Sequence, residues 1–94
     1  MAELAIDPGI KTGGALGFGS GEPPIVFLIE RPTAHQTYRI VRRAKELADA
    51  RGERLGLVVE DQHLARHARA NPASTIHLAR SAERWVFVAE LLGA

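Results

Sequence analysis

The hydrophobic pattern of this chain changes period at Thr33, and that change limits the folds it can adopt. Before it, turn signals rich in Pro and Gly separate three strand-length runs, at 3–7, 13–19 and 25–29. After it, apolar residues recur at the three- and four-residue spacing of a helix until Gly52, a typical stop signal. The pattern therefore predicts a three-stranded antiparallel meander followed by a helix.

A fourth strand and a second helix follow. Residues 55–59 form an apolar run of strand length, and Asn71-Pro72 is typical of a helix start, here of a helix that continues to about Leu92. Thr33 and Gln36 predict a capping box at the start of the first helix. The order β-β-β-α-β-α predicts a single α/β domain over 1–94, with the first helix crossing over to a parallel fourth strand.

Composition excludes several classes of function. The 94 residues contain no cysteine, which rules out a disulfide framework, a Cys-ligated metal site and a thiol nucleophile. No apolar run reaches membrane-spanning length and no secretory signal is evident, so we expect a cytoplasmic protein without membrane contact. A Walker-type phosphate loop is also absent, and we expect no nucleotide cofactor.

The cations are nearly all arginine, although the formal net charge is only +1. Lys11 and Lys45 are the two lysines. Guanidinium groups suit bidentate contact with phosphate, which favours a nucleic-acid partner. A GC-rich genome would give the same arginine bias without any such role.

Two carboxylates end predicted strands that the crossover makes neighbours. Asp7 ends the first strand and Glu60 follows the fourth. Both side chains would then lie at one edge of the sheet, where a divalent cation would relieve their repulsion. Oxygen ligands favour Mg²⁺ or Mn²⁺ over zinc. The alternative is that each is a solvated residue at a strand end, and Asp before Pro-Gly is also common turn chemistry.

Three motifs in register resemble those of the RuvC-like Holliday junction resolvases, which belong to the RNase H-like superfamily. Residues 6–14 (IDPGIKTGG) resemble the first catalytic motif of that family. Residues 58–62 (VVEDQ) resemble the second motif, an apolar strand that ends in Glu. Residues 71–79 (NPASTIHLA) are similar to the opening of the helix that follows. The resemblance implies an RNase H-like fold.

The resemblance also implies an activity. Family members are endonucleases that cut four-way DNA junctions as dimers by metal-dependent phosphodiester hydrolysis, in DNA recombination and repair. It makes Asp7 and Glu60 the catalytic residues and the ligands of Mg²⁺ or Mn²⁺, and branched DNA the partner. It further implies a bacterial or phage-encoded protein.

DNA contacts are carried over from the family by position. Lys11 and Thr12 match the turn that approaches the scissile strand. The loop after the glutamate and the start of the next helix touch the junction in family members. The corresponding residues here, taken together as DNA-binding, are Gln62, His63, Arg66, Arg69 and Asn71.

The last helix is apolar on two sides, and a helix that covers a sheet needs only one such stripe. One stripe includes Ile76, Ala79, Glu83 and Val86. The other, which agrees with the family's interface helix, predicts a homodimer interface formed by Leu78, Ala82, Trp85, Ala89 and Leu92. Chain beyond Ala94 that would cover this stripe is the alternative.

The chain departs from the family at its end. The family fold continues with a fifth strand and a final helix that bears further acidic ligands, whereas this sequence stops at Ala94. We therefore expect a C-terminally incomplete domain with weak metal binding and an exposed apolar fourth strand. Whether it is an enzyme by itself is left open, and the alternative is a module that binds branched DNA or dimerises without cleaving.

Two other interpretations have less support from the sequence. His63 and His67 would share a helix face as zinc ligands do, but the segment is predicted to be a loop and no third ligand is evident. The turn after Asp7 is also similar to the first phosphate loop of actin-like ATPases and sugar kinases. Those folds need two lobes and a much longer chain.

Overall fold

A computed structural model of the chain describes residues 1–60 and 72–94, without the side chains of residues 72–81. Four strands and two helices follow one another in the predicted order β-β-β-α-β-α. They are β1 (Ala2–Asp7), β2 (Lys11–Gly17), β3 (Ile25–Glu30), α1 (Ala34–Ala50), β4 (Leu55–Val59) and α2 (Pro72–Leu91). The α/β class predicted from the sequence is confirmed.

The strands form one mixed sheet in the order β3-β2-β1-β4. β1 pairs with β2, and β2 with β3, in antiparallel fashion, which confirms the predicted meander. β4 pairs with β1 in parallel, as the crossover through α1 requires. β1 therefore lies inside the sheet, and β4 is the edge strand beside it in the described part of the chain.

α1 begins and ends where local chemistry predicts. The Thr33 hydroxyl accepts the backbone N–H of Gln36 at 3.1 Å, and the Gln36 side chain accepts the backbone N–H of Thr33 at 2.8 Å. This reciprocal pair is the predicted capping box. At the other end Gly52 takes a φ of 68°, a left-handed conformation that glycine adopts without steric cost.

The core lies between one face of the sheet and the two helices. We call this the covered face, and it presents Leu4, Ile6 and Leu16, all at most 4% exposed. Val41 of α1 and Trp85 of α2 pack in the same cluster, and neither has any exposed surface. The two helices also contact each other, so they form one layer over the sheet.

Burial of α2 corrects the predicted dimer interface. Trp85 is 0% exposed and Ala89 is 3% exposed because both pack in the core of this chain, so the prediction that these two residues meet a second subunit is wrong. Leu92 is partly buried against the same core, and Ala82 is half-buried. The side chain of Leu78 lies outside the described residues. A tryptophan buries the largest apolar surface of any residue, which explains why this stripe turns inward.

The other face of the sheet carries the alternate residues of the same strands. We call it the open face, because both helices lie on the opposite side. Val26 is 73% exposed there, Leu28 72% and Val58 49%. β4 is an edge strand in the described part of the chain, and Val58 is its exposed apolar residue.

Two ion pairs fasten the loops at the end of the sheet away from the β1–β2 turn. Glu53 accepts the Gly19 backbone N–H at 2.7 Å and lies 3.1 Å from the N-terminal amine. Arg51 pairs with Glu22 and stacks its guanidinium 4.1 Å from the centre of the Phe18 ring. The Gly19 N–H, followed by the N-terminal amine, lowers the pKa of Glu53, and the hydrogen bond from Arg51 lowers the pKa of Glu22.

Neither helix, over the residues that the structure describes, has the length and apolar character that a membrane span requires.

Candidate metal-binding edge of the sheet

Asp7 and Glu60 lie side by side at one edge of the sheet. Ile6 of β1 is the register partner of Val59 of β4, and the next residue on each strand is a carboxylate. The Glu60 backbone N–H donates to the Ile6 carbonyl at 2.9 Å, which continues the parallel ladder beyond β4. Paired strands lie about 4.8 Å apart, so the backbones that carry the two acids are separated by about that distance.

The two acids also belong to the same face. Ile6 is buried on the covered face and Val59 packs against the core, so the residues that follow them project to the open face. Both Asp7 and Glu60 are exposed. They line a shallow cleft of about 560 Å³ together with small or short residues of the open face, among them Ala5, Gly13 and Val58. Solvent, a cation or a polymer chain can reach both carboxylates.

The turn after Asp7 is held by two hydrogen bonds, one of them from a buried hydroxyl. Thr12 has no exposed surface, and its hydroxyl donates to the Gly9 carbonyl at 3.0 Å. The Arg31 backbone N–H donates to the Ile10 carbonyl at 2.6 Å and fastens the end of β3 to the turn. This corrects the prediction that Thr12 contacts DNA directly, because its hydroxyl is buried and shapes the turn.

Lys11, which the resemblance assigns to DNA contact from the turn, is the first residue of β2. It is exposed and pairs in register with Glu30 of β3. Alternation along β2 puts Lys11 on the same face as Gly13, the register partner of Asp7. One ammonium group therefore accompanies the carboxylates on the open face.

The remaining DNA-binding predictions cannot be placed. The five residues concerned lie outside the described residues: Gln62, His63, Arg66, Arg69 and Asn71. Asp61, which follows Glu60, lies outside them as well. The structure therefore brings together Asp7 and Glu60 of the predicted site, with Lys11 on the same face of the neighbouring strand β2.

The donor set at this edge fits a hard divalent cation. Among the side chains of residues 1–60 and 82–94 no group of three or more His, Cys, Asp or Glu is arranged to hold a metal ion, and Asp7 and Glu60 are the two carboxylates that those residues place at this edge. Mg²⁺ is commonly bound by one or two carboxylates, with water and substrate phosphate oxygens completing its shell. Asp7 and Glu60 are the residues that would hold such an ion.

Two neighbouring glycines of β2 have roles that sequence reasoning missed. A Cβ on Gly14 would lie 2.1 Å from Cζ of the Phe27 ring, so the absent side chain makes room for that ring on the covered face. A Cβ on Gly13 would meet nothing within 4 Å, which leaves open space beside Asp7. The available signal was strand alternation, which puts adjacent glycines on opposite faces.

Comparison with protein-family models, with curated proteins and with solved structures gave no significant match to this chain. The class of protein that the structure defines is accordingly an α/β domain with a mixed four-stranded sheet and an acidic pair at the carboxyl ends of its two parallel strands.

Proposed function

We propose that this chain is an RNase H-like domain of the RuvC type, and that it takes part in metal-dependent hydrolysis of DNA phosphodiesters at four-way junctions. The observation that carries the proposal is the juxtaposition of Asp7 and Glu60, one residue beyond the register pair Ile6 and Val59. The three motifs that resemble the resolvase family contribute Asp7, Glu60 and the start of α2 in the family's order.

The chemistry assigned to the residues follows from their placement. Asp7 and Glu60 would hold Mg²⁺ or Mn²⁺ through carboxylate oxygens on the open face. A bound divalent ion supplies stabilisation of the negative charge that develops on the phosphoryl oxygens. Gly13 leaves room for a sugar–phosphate strand beside the acids, and Lys11 adds a positive charge at the same edge. Branched DNA is the proposed partner.

Cleavage of a synthetic four-way junction tests the proposal. We expect Mg²⁺- or Mn²⁺-dependent cutting that Asp7→Asn and Glu60→Gln each reduce by about a hundredfold or more, since each removes a carboxylate that would hold the ion beside the reacting phosphate. Glu3→Gln is the matched control. Glu3 is exposed on the same strand and face, but about 13 Å from Asp7, and cleavage should keep its rate in this variant.

A measurement without turnover tests the metal site itself. Paramagnetic Mn²⁺ broadens NMR signals of nearby protons, so the amide of Gly13, the register partner of Asp7, should broaden before those of β3. Asp7→Asn should abolish this effect. Uniform broadening along the chain, or broadening that Asp7→Asn leaves intact, would count against metal binding at this edge.

The second candidate is a RuvC-like module that binds branched DNA without cutting it. It is favoured by the two carboxylates that residues 1–60 bring together at this edge, since two carboxylates alone hold a cation less firmly than a larger set does. This module would bind the junction in a metal-independent way, with affinity that falls as salt rises. Binding that persists in Asp7→Asn while no cleavage is seen in the wild type would favour the module over the nuclease.

A further inference from the structure

A groove on the covered side of the sheet belongs to none of the features above. It lies between α1 and the strands β2 and β3, and encloses about 610 Å³. Among the described residues, those that line it come from the first three strands and α1. Its floor and wall are apolar, formed by Leu16, Ile25, Phe27, Ile29, Ile40 and Leu47. All of these except Leu16 are half-buried or exposed, so the groove is accessible.

Three arginines of α1 line the rim of this groove. Arg39, Arg42 and Arg43 recur at helical spacing along one side of the helix. Glu46 lies among them, 3.3 Å from Arg42 and 3.4 Å from Arg43. The side chains of Arg42 and Arg43 are 61% and 68% exposed, respectively. Ion pairs this exposed contribute little to stability, so the arginines can exchange Glu46 for another carboxylate. We call this surface, apolar inside and positive at the rim, the arginine groove.

A surface of matching chemistry lies on α2. Val86 is 43% exposed, Phe87 61% and Leu91 66%, and the exposed carboxylates Glu83 and Glu90 occupy the same side of the helix. Their spacing of three and four residues gathers all five into one stripe, opposite Trp85 and Ala89. We call these five residues the outer stripe. Its apolar side chains match the apolar floor of the arginine groove, and its carboxylates are opposite in charge to the arginines at the rim.

The two surfaces also agree in length. The outer stripe runs over nine residues of helix, from Glu83 to Leu91, and its ends lie about 12 Å apart at a rise of 1.5 Å per residue. The floor contributed by β3 between Ile25 and Ile29 spans about 13 Å at the rise of a strand. The outer stripe is thus long enough to cover the floor, with its carboxylates within reach of the long guanidinium side chains on the rim.

We propose that the arginine groove of one copy of this chain binds the outer stripe of α2 from a second copy. Burial of Phe87 and its apolar neighbours on the groove floor supplies the attraction, and the opposite charges fix the orientation. This contact is independent of the proposed nuclease function. It also differs from the expected dimer interface, because it uses the side of α2 that faces away from Trp85.

The position of the two surfaces determines the kind of assembly. The groove lies on the flank of α1 that faces β3, whereas Lys45 on the opposite flank lines a recess with Glu90 of α2. Four of the five outer-stripe residues line a recess with Val59 of β4, so groove and outer stripe lie on opposite sides of α1. Such a contact is heterologous, so copies add head to tail and assembly size grows with concentration.

Charge reversal with complementation tests the proposal. Sedimentation velocity over a wide range of concentration should show the wild type growing beyond a monomer. Arg39→Glu with Arg43→Glu, and separately Glu83→Arg with Glu90→Arg, should each weaken association about tenfold or more. An equimolar mixture of the two double variants should restore association, because each groove then meets an outer stripe of opposite charge.

Controls keep the result interpretable. All four residues are exposed, so circular dichroism should show both double variants folded like the wild type. Glu3→Arg, an exposed charge reversal on the open face and away from both surfaces, should leave assembly unchanged. A wild type that remains monomeric at every concentration overturns the proposal. So does a mixture that associates no better than its separate components.

Discussion

The covered and open faces of the sheet are built from alternate residues of the same strands, yet they differ in almost every property. On β1, Leu4 and Ile6 are 1% and 2% exposed beneath the helices. Glu3 and Asp7 of the same strand are exposed on the open face. Because alternation is strict, a slip of one residue in register would exchange the two sets. The register that buries the core therefore also presents the acids.

The contrast teaches that stability and chemistry are separable in this fold. Removing a side chain from the covered face leaves a cavity or a clash in a close-packed core. Removing one from the open face alters what the surface binds and changes the free energy of unfolding little. Substitutions chosen in pairs across the two faces test this division.

The largest stability effect is expected at Trp85. Trp85→Ala should lower the free energy of unfolding by about 3–5 kcal/mol, since it empties the centre of the core beneath α2. Leu28→Ala on the open face should change it by no more than about 0.5 kcal/mol. Urea denaturation followed by circular dichroism measures both. Similar losses in the two variants would mean that the open face is covered in solution.

An intermediate effect is expected at the paired glycines of β2. Gly14→Ala should destabilise the chain by about 1–3 kcal/mol, because the added methyl group displaces the Phe27 ring. Gly13→Ala meets open space and should change stability by at most about 0.5 kcal/mol. Thermal denaturation of the two variants compares them directly. Equal destabilisation would contradict the assignment of the two glycines to different faces.

The smallest effect on stability is expected at Glu53, in the loop before β4, and it depends on pH. The pKa of Glu53 is lowered in the folded chain by the Gly19 N–H and the N-terminal amine. Its stabilisation is therefore fully present above the ordinary glutamate pKa, and is lost as pH falls through the lowered value. Glu53→Gln should reduce stability at neutral pH and flatten the acid limb of the stability curve, measured by urea denaturation at several pH values. Parallel curves for variant and wild type would contradict this.

The element order and strand pairing could be predicted because they depend on local signals. Turn residues, the period change at Thr33 and the crossover rule together give the meander, α1 and the parallel β4. The convergence of Asp7 and Glu60 follows from that topology alone. Each acid ends an apolar strand, and parallel neighbours end at the same edge.

The errors arise where side-chain packing decides between alternatives that are equal in sequence. α2 has two apolar stripes, and only the packing of Trp85 against the core shows which one turns inward. Thr12 is polar and follows a lysine, so its burial depends on the Gly9 carbonyl that the turn directs toward it. The arginine groove depends on where α1 lies across the sheet, and periodicity carries no information on that position.

The parallel pairing of β1 with β4 also determines when, during synthesis and folding, Asp7 and Glu60 come together. Two strands and a helix separate these partners along the chain, so their union is a non-local event that must await closure of a long loop. When the ribosome has synthesised the chain from β1 to the end of α1, Asp7 is present but Glu60 is not. Asp7 and Glu60 therefore cannot act together on one ligand until β4 has been translated and has paired with β1.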